Sequence, residues 1–457
     1  MSAVASVPAS TGGAEDLRTG RSGGEGSSPL AGWGVYLRIL LRRFRVQIVA
    51  WVLPLWLLVS ITAPSYESVY PSLETRTVLI EQMRKSPGTR LLYGYVPAPG
   101  RLGQLLQWET GTFLLVCTAL MAILLTCRML RGDEDEGFVE VLRATGVGRI
   151  VLFLVPMALV WAVVGALSVG VGGILTWQTG SIEELTVSGA WALAGTMCVA
   201  GWAFSAVAAV ASQLGRQVGQ ARSLSMLVLT AAFSVRVAAD EVTEGSGSDW
   251  LRWLSPLGWR DLVRPYSNDR FMVLAACCVV AVALVIVAVA LASRREYLDS
   301  YLPDRSSSQR RWRIRGHMDL LGRLSWRGVL GWAAASAGLA SLYGSVSGSV
   351  NDLMAPDSPT ASWVSKMASG SPVEQFMSLM TVVTVLLVAV AAVRRMNRLA
   401  FLERAGLAEV ELAAGVGRRR LFLSQVLGAL IESIVLLLVS GTVLAATTAT
   451  QLTDEHA

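Results

Sequence analysis

Two stretches of this chain repeat the same order of charged and small residues. Glu140–Arg149 reads EVLRATGVGR, and Glu409–Arg418, 269 residues later, reads EVELAAGVGR. The register extends outward: Glu134 and Gly137 fall on Glu403 and Gly406, and the LFL at 152–154 falls on the LFL at 421–423. Carboxylates followed by an arginine on a short helix make a surface for docking rather than for bond making. In the first copy Asp133, Glu134, Asp135 and Glu136 lie near the helix start and Arg143 near its end, which suits the helix dipole. Gly146 and Gly148, matched by Gly415 and Gly417, supply a tight turn into the next segment. Arg149 and Arg418 close each copy. The plainer reading is a connector between helices. A charged motif kept in both copies argues instead that the loop is read by a soluble partner.

Other chemistry is sparse. The two histidines, His317 and His456, stand far apart. The five cysteines lie in apolar runs without zinc-like spacing and read as small core residues. No catalytic centre and no metal site is expected. A phosphate-binding G-x-x-x-x-G-K-[ST] loop needs a lysine after a glycine run. The two lysines, Lys85 and Lys366, follow none, so no nucleotide cofactor is expected on this chain. Three ionisable groups fall in or beside apolar runs: Arg236, Asp240 and Glu432. Arg236 and Asp240 are spaced to pair on one helical face, either as an anchor or on a substrate path. Glu432 would line an aqueous path, pair with an arginine or stay protonated.

The elements that hold these groups are set by composition. The 457 residues are 53% hydrophobic and 16% charged, against about 25% charged in an ordinary soluble domain. Apolar runs of about 20 residues recur, the length that crosses a bilayer core. The chain reads as an all-α polytopic membrane protein. Nine spans are expected, near 46–63, 112–127, 150–175, 189–212, 223–239, 271–292, 328–346, 376–393 and 421–446. Residues 1–29, rich in Ser, Gly and Ala, read as a disordered cytoplasmic tail. Residues 30–45 put Trp33, Leu37, Leu40, Leu41 and Phe44 on one face and Arg38, Arg42 and Arg45 on another. That is the pattern of an interfacial helix, or simply of the basic flank of the first span.

Charge sets the orientation. With the N-terminus inside, 28 of the 39 Lys+Arg fall in inner segments and 10 in outer ones. That distribution fits a multi-pass protein of a bacterial cytoplasmic membrane with a cytoplasmic N-terminus. It also makes the net charge of +6 a topology signal and not a nucleic-acid signal. A basic linker, 293–327, separates a six-span unit at 46–292 from a second unit at 328–457. The repeat matches the last three spans to the first three, and nothing matches spans four to six. The second repeat therefore reads as three spans, through truncation, through loss, or with the rest supplied by a partner.

The paired acidic loops resemble those of ABC type-2 permeases, specifically the antibiotic-exporter branch of tetronasin-resistance and polyketide exporters. Two further stretches carry the resemblance. Trp253–Tyr266 reads WLSPLGWRDLVRPY, similar to the family's SP-x-GW…RP segment through Ser255, Pro256, Gly258, Trp259, Arg264 and Pro265. Arg236 with Asp240 is close to its RA-x-GD pattern. The resemblance implies a permease served by a separate ABC ATPase subunit, two copies of it, which binds ATP and Mg. It also implies a hydrophobic or amphipathic small molecule as cargo and the lipid bilayer as its surroundings. Glu134, Glu136, Gly137, Glu140, Arg143, Gly146, Gly148 and Arg149 would form one coupling element. Glu403, Glu409, Gly415, Gly417 and Arg418 would form a second, in which Leu412 replaces Arg143. Trp259 and Arg264 read as architectural. The competing functions are an inactive permease fragment and an ATPase-independent transporter or sensor. The span count and orientation place a tag after Ala457 outside the membrane. Digestion of that tag by protease added to intact spheroplasts is the expected result, and protection overturns the nine-span topology.

Overall fold

The computed structural model describes residues 31–69, 76–77, 80, 93–148, 150–241, 249–294, 301, 316–346, 372–404 and 406–454. The 1–29 tail, Arg149 and most of the 293–327 linker lie outside the described residues. Among the described residues the protein is all helical, with eight helices long and apolar enough to cross a membrane. It is a polytopic membrane protein. In lipid only a structure that satisfies its own backbone can span, and helices do so within one segment.

The chain opens with α1, Trp33–Val69. The amphipathic stretch and the first span are thus one continuous helix. Its inward face is Tyr36, Leu40 and Phe44, spaced four apart and buried. Trp33 and Leu41, which the sequence pattern places on that face, are exposed. Next come α2 (Leu102–Cys127), the short α3 (Phe138–Ala144), α4 (Val151–Gln178), α5 (Val187–Leu214) and α6 (Val218–Glu241). Two short helices, α7 (Asp249–Leu254) and α8 (Trp259–Val263), lead into α9 (Phe271–Arg294). The second half holds α10 (His317–Val346), α11 (Pro372–Arg404), the short α12 (Leu407–Ala413) and α13 (Arg418–Asp454). Among the described residues, extensive helix packing stays within each half.

Helix α5 is the axle of the first half and packs on α2, α4, α6 and α9. Its sequence is mostly Ala, Gly and Ser, which lets neighbours approach closely where no hydrophobic drive separates helix from lipid. A Cβ on Gly201 would stand 2.7 Å from Val164 and 2.8 Å from Thr118. Trp161 of α4 stacks on Trp202 of α5 at 4.7 Å and donates to Ser205 Oγ at 2.8 Å.

The span expected at 328–346 falls within α10. That helix starts at His317, inside the expected linker, and it is not among the eight candidate spans. Its Gly, Ser and Ala content and its early arginines lower its hydropathy. It nevertheless runs parallel to α13 along its length. His317 meets Ser424 at one end, and Gly344 abuts Thr447 at the other. The pair α1 and α4 is parallel in the same way, with Trp56 donating to Leu167 O at 3.0 Å.

The tightest approach on α5 involves the motif segment after α8. The Tyr266 ring is wedged between Gly103 of α2 and Gly189 of α5, where a Cβ would come within 2.5 and 2.2 Å of it. Gly189→Leu is expected to lower the melting temperature of the detergent-purified chain by an amount equivalent to about 1–3 kcal/mol of overpacking. The companion Gly219→Leu, at a position with open space, leaves it unchanged.

Candidate functional site

The two repeated loops adopt one backbone. In the first, Gly137 has φ +73° and caps α3; Gly146 at +82° ends it. In the second, Gly406 at +69° caps α12 and Gly415 at +84° ends it. Both helices are seven residues long and sit at the same offset as the sequence repeat. The bonds repeat too. Gly146 N–H donates to Arg143 O at 3.2 Å and Val147 N–H to Leu142 O at 3.4 Å; Gly415 to Leu412 at 3.0 Å and Val416 to Glu411 at 3.2 Å. This is a Schellman closure, which needs a left-handed residue at its turn. The sequence expectation gave both turns to the Gly146/Gly148 and Gly415/Gly417 pairs. The structure puts the left-handed residue at Gly146 and Gly415, while Gly148 N–H donates to Ala31 O at 3.3 Å.

The acidic run does not all face outward. A π-helical turn, Arg128–Gly132, joins α2 to it and buries Arg131. Arg131 pairs with buried Glu134 at 2.9 Å and with Asp135 at 3.4 Å, and it also donates to Arg216 O. Asp135 accepts from Val218 N–H at 2.7 Å, at the start of α6. Arg43 of α1 reaches Asp133 at 3.0 Å and Glu136 at 2.7 Å, and lies 5.1 Å above the Phe138 ring. Arg128 holds Glu136 from the other side at 2.6 Å. Glu134 and Glu136 are therefore engaged within the chain and brace the loop on α1, α2 and α6. The outward surface is Glu140, Val141 and Arg143, with Gly146 at its edge.

In the second copy Glu403, Glu409, Gly415, Gly417 and Arg418 are exposed. The bracing differs: Leu402 replaces Asp133, and His317 at the head of α10 lies 3.8 Å from Glu411 and 3.0 Å from Ser424 Oγ. Sequence reasoning passed over the most exposed apolar residues of both helices. Val141 is 62% exposed and its equivalent Val410 is 66% exposed, each beside a glutamate, Glu140 or Glu409. The signal was present in the shared Glu-Val pair of both copies.

At the far end of α6 is a cluster of buried charge. Arg236 and Asp240 pair at 3.3 Å, as their spacing predicts, and Arg252 adds a contact to Asp240 at 3.8 Å. The centre, however, is Arg260, which the sequence reading did not single out. It is 2% exposed and donates to Tyr93 O at 2.8 Å, Trp108 O at 3.2 Å and Thr112 Oγ1 at 2.5 Å, and it pairs with Asp261 at 2.9 Å. Burial alone would push the Asp261 carboxyl up, but the Arg260, Arg236 and Arg252 guanidiniums outweigh it and hold it below the usual carboxylate range. Gly94, at φ +85°, leaves the room in which Arg236 and Asp240 sit, since a Cβ there would stand 2.6 Å from Arg236. A lone arginine inside the apolar W-R-D-L-V stretch was the available clue.

The remaining motif residues around this cluster hold backbone in place. Ser255 donates to Ala232 O at 2.6 Å and Trp259 to Trp253 O at 3.1 Å. Gly258 lies against Arg252 O, where a Cβ would be 2.9 Å away. Pro256 is half-buried and Pro265 buried, while Arg264 is exposed, at φ +53°. Its carbonyl accepts from Ser267, Asn268 and Asp269. Glu432, in the second half, is 2% exposed and pairs with Arg394 at 3.0 Å and Arg395 at 2.9 Å. Among the described residues no group of His, Cys, Asp and Glu could hold a metal ion.

Residues 314–457 match the family described as multidrug efflux system permease Rv1217c, C-terminal domain. The match begins just before α10 and takes in the whole second half. The multidrug efflux system permease protein Rv1217c of Mycobacterium tuberculosis (strain ATCC 25618 / H37Rv) is 30% identical over 409 residues, covering 89% of this chain and 72% of that protein. This chain belongs to the Rv1217c-like multidrug efflux permease family. That is a coarser placement than the tetronasin-resistance branch which the loop motifs resemble. It makes the protein an integral membrane protein of a permease family.

The bracing of the first loop in this permease is open to direct measurement. Arg131→Leu leaves Glu134 buried without its arginine and is expected to destabilise by about 3–5 kcal/mol, whereas the double change with Glu134→Leu recovers most of that loss. Thermal melts of the four forms of the cycle check it; additive losses would show that the pair is not coupled.

Proposed function

We propose that this chain is the membrane subunit of an ATP-driven exporter of hydrophobic or amphipathic compounds, antibiotics and drugs among them. A separate ABC ATPase subunit, binding ATP and Mg, would dock on α3 and α12 in two copies. The observation that carries the reading is the matched pair of Gly-bounded helices, each presenting an exposed valine beside a glutamate. An apolar knob next to a carboxylate fits a groove with an apolar floor and a basic rim, and two equivalent knobs fit two equivalent grooves. The family membership supports the efflux role. The likeness of the loops to those of polyketide-antibiotic exporters supports the cargo class.

Within this scheme Glu140, Glu409, Arg143 and Arg418 are contact residues. Glu134 and Glu136 act by stiffening the first loop, so that a push on α3 is delivered to α1, α2 and α6 and not absorbed by the loop. Gly137, Gly146, Gly406 and Gly415 fix the angle of each helix, because a side chain at these positions costs about 1–2 kcal/mol of backbone strain. Gly148 and Gly417 complete the turns. Arg149 would extend the basic end of the first element. Closure of the ATPase would shift the permease between inward and outward access. The membrane would be the bacterial cytoplasmic membrane, with the N-terminus inside.

Gentle purification of the tagged chain from its native membrane is expected to bring a P-loop ATPase with it in stoichiometric amount. The double variant Val141→Asp with Val410→Asp should insert at normal levels, lose that subunit and reduce drug export at least tenfold. Full export by the double variant, with the ATPase still bound, would refute the docking assignment.

A further inference from the structure

The second half has a pocket that the repeat alone does not account for. It has a volume of about 390 Å³ and lies between α10 and α13, within the range typical of small-molecule sites. Trp326 and Leu330 form one wall and Ile431 the other; Arg395, Gly428 and Glu432 form the floor. Glu432 is the single carboxylate shared by two guanidiniums, Arg395 in the pocket floor and the half-exposed Arg394 outside the lining, so the trio carries one net positive charge. Arg395 is 9% exposed, and its Nε–H has no acceptor among the described residues. An unmet charged donor in an apolar surround is costly, and an oxygen brought in by a ligand would relieve that cost. Gly428 makes the arrangement possible. A Cβ there would stand 2.4–2.7 Å from the Arg395 guanidinium, which therefore lies against bare helix backbone.

The equivalent positions of the first half are Leu125, Thr126, Leu159 and Val163, where the second half has Arg394, Arg395, Gly428 and Glu432. Four changes that together create a charged, hollow floor do not serve the shared fold, which the first half builds without them. We infer that this pocket binds an amphipathic anion, a molecule with a carboxylate or phosphate head on Arg395 and an apolar tail between α10 and α13. The planar guanidinium fork matches such heads, and the net charge disfavours a cationic amphiphile. This site rests on the pocket chemistry and not on the export reading, and it is tested by equilibrium binding without ATP or ATPase.

The test uses the full chain in neutral maltoside micelles, titrated with 11-(dansylamino)undecanoate, and in parallel with the monodansyl derivative of 1,10-diaminodecane as the cationic control. One saturable site for the carboxylate, and none for the amine, is expected. Ile431→Trp and Leu330→Trp fill the pocket from opposite walls without touching the charges. Each should weaken binding at least tenfold, about 1.4 kcal/mol, with an unchanged melting curve. Glu432→Gln raises the net charge and should tighten binding at least threefold. Displacement by decanoate assigns a free amphiphile, and displacement by short-chain phosphatidylglycerol assigns a lipid head group; either supports the site. Equal binding of the cationic probe, or wild-type affinity in both filled variants, overturns it.

Discussion

Helix α5 has few large side chains with which to keep its neighbours away, and the first half is arranged around that fact. In a bilayer, lipid tails are as apolar as leucine, so helices gain by close contact and not by escaping solvent. The Ala, Gly and Ser of Val187–Leu214 allow α2, α4, α6 and α9 to pack on one axis. Large residues then come from the partners: Leu274 from α9 and Tyr266 from the motif segment close on glycines of α5, and Trp161 from α4 stacks on Trp202. Because α2 and α4 are both held this way, the short helix between them is held at both ends.

Charge is handled under the same pressure. A buried ion pair adds little stability, but a buried charge without its partner is severely destabilising. Here the first loop, the motif segment and the second half each bury arginine against carboxylate, in three different patterns. Arg43 and Arg131 clamp a surface loop to the helices beneath it. Arg260 ties the Tyr93–Trp108 region to α8 by donating mainly to backbone carbonyls. Arg394 and Arg395 share Glu432 inside the second half. The last of these places Arg395 and Glu432 in the floor of a cavity.

The two halves thus repeat a backbone and not a set of contacts. The left-handed glycines, the seven-residue helices and the Schellman closures coincide residue for residue. The supports beneath them do not. An apolar plug at Leu142 becomes Glu411 with His317, and a clamp of Asp133 becomes Leu402. Under the proposed docking role such a division would be expected, since the outer shape would have to match two like surfaces while the mounting is free to differ.

Much of this was written in the sequence. Apolar runs of bilayer length declare a polytopic helical protein because lipid permits little else, and the helices near 112–127, 150–175, 189–212, 223–239, 271–292 and 421–446 follow directly. The repeat declares the matched loops, since left-handed turns demand glycine and Gly137, Gly146, Gly406 and Gly415 stand at fixed offsets. The pairing of Arg236 with Asp240 is local and was legible for that reason. What the sequence left open is long-range. It allowed Glu432 an arginine, water or a proton, and only the packing of α11 on α13 brings Arg394 and Arg395 to it. It could not tell that Glu134 is buried on Arg131 and that Glu136 is held at the surface by Arg43 and Arg128, because those partners lie on a π-helical turn and on α1. Arg260 was hidden in its own motif, since its acceptors are carbonyls of α2 and Tyr93, and a backbone carbonyl leaves no mark on the sequence. Spacing determines what neighbours along one helix do; contacts between helices were decided by the tertiary structure alone.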